Sequence, residues 1–233
     1  MRLYTYKNNQ FEIEEGVFYP TKTTELLLKC LDKINLKNKN VLDLGCGCGV
    51  VGSILAKYNE VERMNASDIS QKSIINAKKN FELNGINANL RVGNLYEPWH
   101  GEKFDIIICD VSGVSEKIAK LSGWFGKFAP CDSGIDGTKL GIDIINNSPQ
   151  HLMNNGKFYM AVLTLSNHAK LMNKLKNCFS NVNIIGEEEY FIPEQLLTHQ
   201  ELLDELQINK CISIEKKFGM ILWKTMIVEA FNK

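Results

Sequence analysis

Arginine, net charge, metal-type cysteine spacing and long apolar runs are what this sequence lacks. Arg2, Arg63 and Arg91 are its only arginines among 27 basic residues, a lysine bias that carries no functional message. The 27 acidic residues bring the formal charge to 0, so no global field draws in nucleic acid, although a local basic patch stays compatible with these numbers. No apolar run approaches the about 20 residues a bilayer span needs, and no basic-then-apolar leader opens the chain. The seven cysteines are an odd number, scattered without metal-ligand spacing. Cys46 and Cys48 read as small residues in a tight turn, no metal is expected, and a reducing cytoplasm is the expected location.

What is present suits one globular domain with a small elaboration: 233 residues, 44% hydrophobic and 23% charged, with no repeat, low-complexity segment or linker. Its centre is V-L-D-L-G-C-G-C-G-V-V-G, residues 41–52, where an apolar strand meets glycines at Gly45, Gly47 and Gly49 and then a helical run. A strand that turns sharply into a helix needs residues without Cβ for positive φ and for close approach of a ligand. The helix start then offers unpaired N–H groups beside that ligand.

Two cofactors compete for such a turn. Gly47, Gly49 and Gly52 fit the dinucleotide pattern G-x-G-x-x-G, with Asp68 at about the expected spacing of 20 residues. Asp43 separates the two readings. A pyrophosphate beside it meets an uncompensated carboxylate, whereas the ammonium and sulfonium of S-adenosylmethionine are attracted to it. A helical stretch over 23–34 also precedes the glycine strand, whereas dinucleotide domains usually open with that strand.

Along the chain, alternating runs over 3–7 and 11–14 read as a hairpin, and Thr21 or Thr23 as the cap of the first helix. A helix over 50–58, a strand over 61–67 and a helix capped by Ser70, with Ile74, Ile75, Ala77 and Phe81 on one side and Gly85 at its end, follow in turn. Strands over 88–92 and 104–109 come next, the second a central parallel strand by its continuous apolar run. Residues 110–137 read as a long irregular loop, with Trp124, Phe125 and Phe128 either walling a substrate pocket or pinning the loop. Helices over 138–153 and 167–179 flank a strand over 157–165, and strands over 182–191 and 218–231 enclose an extra helix over 194–207. This alternation indicates an α/β fold with a parallel sheet. Two lysine groups, one around Lys78 and one around Lys174, read as outer faces of amphipathic helices rather than a phosphate track.

With these residues in place the chain resembles the class I S-adenosylmethionine-dependent methyltransferases. Within them it is similar to the small methyltransferase domain group, which includes release-factor glutamine methyltransferases and several rRNA and tRNA base methylases. The resemblance covers roughly residues 16–165, through Phe18-Tyr19-Pro20 and Thr24-Glu25, the glycine motif, A-S-D-I-S around Asp68, G-N-L-Y-E-P-W and F-D-I-I-I-C-D. It implies a Rossmann-like, doubly wound sheet of seven mostly parallel strands with an antiparallel last strand. The expected division is an N-terminal hairpin extension over 1–20 and a methyltransferase domain over 21–233, with substrate-side insertions at 110–137 and 192–216.

The resemblance also implies roles for single residues. Asp43, Gly45, Gly47 and Gly49 would border the methionine part of S-adenosylmethionine, with Thr23 and Thr24 at its carboxylate end. Asp68, beside Ile69, would accept both ribose hydroxyls, since a carboxylate matches a vicinal diol. Asn94 would face the adenine amino group and Leu95 would pack on the ring. The group's Asn-Pro-Pro-Tyr is replaced by Asp110-Val111-Ser112-Gly113. Without the prolines and the stacking aromatic, adenine, guanine and glutamine-amide acceptors are disfavoured. Asp110 becomes the expected base or amine holder, with Ser112, Trp124 and His168 toward the substrate pocket. His100, His151 and His199 read as peripheral. The expected activity is methyl transfer to a small molecule or to a protein side chain or terminus. A nucleic-acid base methylase and a non-catalytic cofactor-binding module are the alternatives, and the sequence leaves the oligomeric state open.

Overall fold

The computed structural model describes residues 1–111, 113–124 and 133–232. A hairpin of β1 (Arg2–Tyr6) and β2 (Asn9–Ile13) opens the chain. It leads into α1 (Lys22–Leu31), capped by Thr21. Then come β3 (Asn40–Leu44), α2 (Val50–Tyr58), β4 (Arg63–Asp68), α3 (Gln71–Leu83), β5 (Ala88–Val92) and β6 (Phe104–Cys109). The second half holds α4 (Glu116–Leu121), α5 (Lys139–His151), β7 (Leu152–Leu163), α6 (His168–Cys178) and β8 (Asn181–Phe191). It closes with α7 (Glu194–Leu197), α8 (Gln200–Ile208), β9 (Glu215–Lys217) and β10 (Met220–Phe231).

The main sheet runs β5-β4-β3-β6-β7-β10-β8, and the short β9 pairs with β10. The five strands from β5 to β7 are mutually parallel, while β10 is antiparallel to both β7 and β8. The strand that is last in sequence is therefore the antiparallel one and lies inside the sheet. Helices cover both faces. Leu27, Leu31, Ile54, Leu55, Ala77 and Phe81 of α1, α2 and α3 pack on one face. Ile144, Ile145, Leu171 and Leu175 of α5 and α6 pack on the other. Strand order reverses between β3 and β6, and in a doubly wound sheet the ligand crevice lies outside the carboxyl ends of the strands at such a switch point. No helix among the described residues is long and apolar enough to cross a membrane.

The hairpin is tied to α3 by two fully buried amides. Asn80 Oδ1 accepts the Glu12 N–H at 2.8 Å, and its Nδ2 donates to the Glu12 carbonyl and to the Cys48 carbonyl, both at 2.9 Å. Asn76 Nδ2 donates to the same Glu12 carbonyl at 2.7 Å. Some of the lysines on the outer faces of the helices pair with acids, Lys79 with Glu14 and Lys170 with Asp136.

Several elements differ from the sequence reading. The segment 110–137 holds α4, whose six residues are too few to show a helical period but bury Ile118 and Ala119. The single helix expected over 194–207 is two helices. The Leu196 carbonyl accepts the His199 N–H three residues on, and the Thr198 hydroxyl donates to the Gln195 carbonyl, which ends the first helix early. Ile75 is 47% exposed, because the buried stripe of α3 runs through Ser73, Ile74, Asn76, Ala77, Asn80 and Phe81. Strand β7 starts at Leu152 rather than 157, and β9 was not expected at all.

Candidate active site

Three carboxylates reach one cleft from three parallel strands. Asp43 is the penultimate residue of β3, Asp68 ends β4, and Asp110 follows β6. Between the first two lies the glycine turn. Gly45 and Cys46 both donate their N–H to the Ser67 carbonyl, at 2.8 and 2.9 Å, which ties the turn to β4. Gly49, at φ +79, caps α2. Asp68 closes the turn from outside: its Oδ2 accepts the Gly47 N–H and its Oδ1 the Ser70 N–H, each at 2.9 Å.

The cleft has a volume of about 410 Å³. Asp43, Gly45, Gly47, Asp68, Ile69, Asn94, Leu95 and Asp110 all line it. Asn94 is exposed and its amide reaches Glu97 at 3.4 Å, while Leu95 takes a φ of +47 that turns the chain over the cleft. Two of the expected cofactor-side residues do not line it: Thr23, whose buried hydroxyl lies 3.2 Å from that of Thr225, and Gly49. At Gly49 a Cβ would meet Phe81 at 2.9 Å and Ala77 at 3.0 Å, so the missing side chain lets α2 pack closely on α3. At Gly47 a Cβ would meet nothing within 4 Å.

Asp43 is 1% exposed. Its Oδ2 accepts the Gly52 N–H at 2.9 Å, and its Oδ1 is buried with no partner. Asp110 Oδ2 accepts the Thr24 hydroxyl at 2.6 Å, and its Oδ1 is likewise sealed and unpartnered. Burial pushes Asp43 up to about 7, opposed by the Gly52 N–H and reinforced by the charges of Asp110 and Asp68. Burial also pushes Asp110 up to about 7, against the Thr24 hydrogen bond. Asp68 is raised by burial, held back by the N–H groups of Ser70 and Gly47.

Two expected substrate-side residues lie elsewhere. His168, at the start of α6, borders a separate hollow of about 200 Å³ with Glu187, Glu189, Glu215 and Trp223. Trp124 packs on Trp223 at 5.6 Å between ring centroids and does not line the cleft. Both stand beside β10, whose Trp223 packs on Trp124 and borders the hollow of His168. Ser112, Phe125 and Phe128 lie outside the described residues. The sequence reading missed Gly16 and Phe18 on one wall and Lys139, Leu140 and Asp143 of α5 on another. No local pattern marks the three α5 residues, because α5 reaches the cleft only through packing on the sheet.

Residues 8–110 match the family model described as methyltransferase small domain. The ribosomal protein L11 methyltransferase of Fusobacterium nucleatum is 35% identical over 118 residues, which are 47% of this chain and 38% of that protein. A putative protein N5-glutamine methyltransferase of Methanocaldococcus jannaschii is 28% identical over 72% of this chain and 82% of its own length. The chain thus spans well under half of the first relative and most of the second. Among solved structures, the 16S rRNA N2 G1207 methyltransferase of T. Thermophilus, in complex with AdoMet and guanosine, aligns with a TM-score of 0.62 at 15% identity, over 100% of this chain and 50% of that one. Residues 8–110 thus carry the likeness to the methyltransferase small domain, and the chain shares its fold with the solved methyltransferase it aligns with.

Proposed function

We propose that the chain transfers a methyl group from S-adenosylmethionine to a nucleophile on a protein or a small molecule. One observation carries this reading. Two buried carboxylate oxygens, Asp43 Oδ1 and Asp110 Oδ1, stand without partners in a cleft that a third carboxylate, Asp68, also lines. Unpaired buried charge is costly, and a cationic ligand relieves it where a phosphate adds to it.

S-adenosylmethionine fits these residues. Asp43 with the backbone at Gly45 and Gly47 would hold its charged amino-acid end, and Asp68 its ribose. Ile69, Leu95 and Asn94 would border the adenine. When bound, it supplies an activated methyl on a sulfonium. The chain's own contribution is to bind, orient and manage a proton. Asp110, its Oδ2 fixed by Thr24, borders the cleft and would hold an acceptor amine as a cation or act as the base that takes its proton. Alignment of the acceptor supplies the rest of the rate.

Calorimetry with S-adenosylhomocysteine tests the cofactor half: binding is expected at micromolar ligand, and absent heat would overturn it. Transfer of a tritiated methyl group to cell-extract fractions tests the catalytic half. A rRNA acceptor, as in the T. Thermophilus neighbour, is the competing reading, and salt-sensitive RNA binding is its signature.

A further inference from the structure

The hollow that holds His168 lies at the same edge of the sheet as the cleft. Because β10 is antiparallel to β7, its first residues and the attached β9 extend past the carboxyl ends of the parallel strands. The Lys224 N–H on Thr164 Oγ1, at 2.9 Å, marks where β7 stops. At roughly 3.3 Å per residue, the strand from Lys224 out to Met220 projects about 13 Å beyond that point, with the Phe218–Gly219 turn at its tip.

Apolar side chains on this projection are left uncovered: Phe191 is 66% exposed, Met220 41% and Phe218 98%. Leu222 stands opposite Phe191 and lines the hollow. Phe218 and Gly219 form the turn between β9 and β10 with φ values of +51 and +77. Both lie in the left-handed region, where Asn-Gly is the favoured pair. A bulky ring there is strained, and at this exposure it gains no packing in return. Such strain points to a role outside the fold itself.

Charge selects the occupant. Residues 187–217 carry eight acidic residues against three lysines, a net −5 within a chain of net charge 0. Around the hollow Lys224 pairs with Glu187 and Glu189, and Lys217 with Glu189 and Glu215, leaving three carboxylates to two ammonium groups. Beside it Lys216 is spent on Asp204. This surface repels a phosphate backbone and attracts a basic one.

We propose that the hollow and the Phe218 hairpin dock a polypeptide, an exposed basic and apolar segment of the protein that receives the methyl group. This rests on the methyltransferase reading above and narrows its acceptor to protein.

The test uses the full chain with tritiated S-adenosylmethionine and the separated protein and RNA fractions of a cell extract. Label is expected in protease-sensitive, RNase-resistant material. The Phe218→Asn variant relieves the turn, so its Tm should rise while transfer to the protein fraction falls about tenfold, the loss expected for a docking aromatic. Phe191→Ser should lower transfer in the same way. Calorimetry with S-adenosylhomocysteine should be unchanged in both variants. Label in RNase-sensitive material, label in neither fraction, or undiminished transfer by both variants overturns the docking proposal while cofactor binding stands. Absent cofactor binding in the parent chain instead brings down the reading beneath it.

Discussion

The Thr24 hydroxyl donates its proton to Asp110 Oδ2 at 2.6 Å while its oxygen accepts the Thr21 N–H at 3.2 Å. The start of α1 and the acid after β6 are thereby locked together. A hydroxyl has one proton, and the Thr21 contact takes a lone pair, so that proton is committed to Asp110. Thr24→Val removes both bonds and should cost about 1–2 kcal/mol of stability, read by urea unfolding. Without the donor Asp110 rises further, so the pH–rate profile should shift to higher pH. Thr24→Ser should restore both, which a purely structural role for the methyl group would not allow.

Asp43→Asn keeps an acceptor for the Gly52 N–H but removes the charge. The fold should survive, because Asp43 already holds a proton readily in its buried position. Affinity for S-adenosylmethionine should drop by about 10- to 100-fold, the loss of one poorly screened charge pair. Calorimetry on parent and variant checks this, and equal affinities would rule out Asp43 as the cation's partner.

The raised acids set a direction with pH. Asp43 and Asp110 keep their protons to about 7 in the folded chain, whereas an unfolded Asp releases its own near 4. Between those values the folded state binds more protons, so these groups' contribution to stability falls as pH rises and levels off above about pH 7. The Tm advantage of Asp43→Asn over the parent should therefore grow from about pH 5 to about pH 8. Binding of a cationic cofactor pulls these pKa values down and releases protons. Its affinity should rise over the same window, with buffer-dependent heats.

Asn80 links the N-terminal hairpin to the glycine turn through Glu12 and the Cys48 carbonyl. Asn80→Ala removes three hydrogen bonds and takes this partner from the Glu12 N–H and the Cys48 carbonyl, while the Glu12 carbonyl keeps Asn76, at a cost of about 2–3 kcal/mol. Hydrogen exchange should quicken at both Glu12 and the turn. Protection lost only at the hairpin would show that the two are not coupled.

Gly47 and Gly49 should fail differently. Gly49→Ala drives a Cβ against Phe81 and Ala77 at positive φ and should lower Tm by several degrees, about 2 kcal/mol or more. Gly47→Ala meets no protein atom, so its φ strain of about 1 kcal/mol should lower Tm less. Its methyl group enters the cradle, so cofactor affinity should suffer more than stability. Thermal melts and calorimetry on the pair separate the two roles.

Much of this molecule was legible locally. The bounds of α2, β5 and β6 follow from apolar runs ended by charged, glycine or turn residues, and the Ser70 cap with Gly85 fixed α3. Asp43 beside the glycines carried the choice of a cationic nucleoside over a phosphorylated one. Short or broken elements escaped, because α4, α7 and β9 hold too few residues to show a period.

The sequence by itself determined the alternation of strands and helices, the sharp turn after β3 and the acids at strand ends, since each depends on residues adjacent in the chain. Only the tertiary structure decided that Asp43, Asp68 and Asp110 share one cleft, that a side chain at Gly49 would meet Phe81 and Ala77, and that His168 and Trp124 stand apart from that cleft. Those outcomes depend on strand order and on which oxygens packing seals from water. Both are set by residues far apart in sequence, and no spacing along the chain records them.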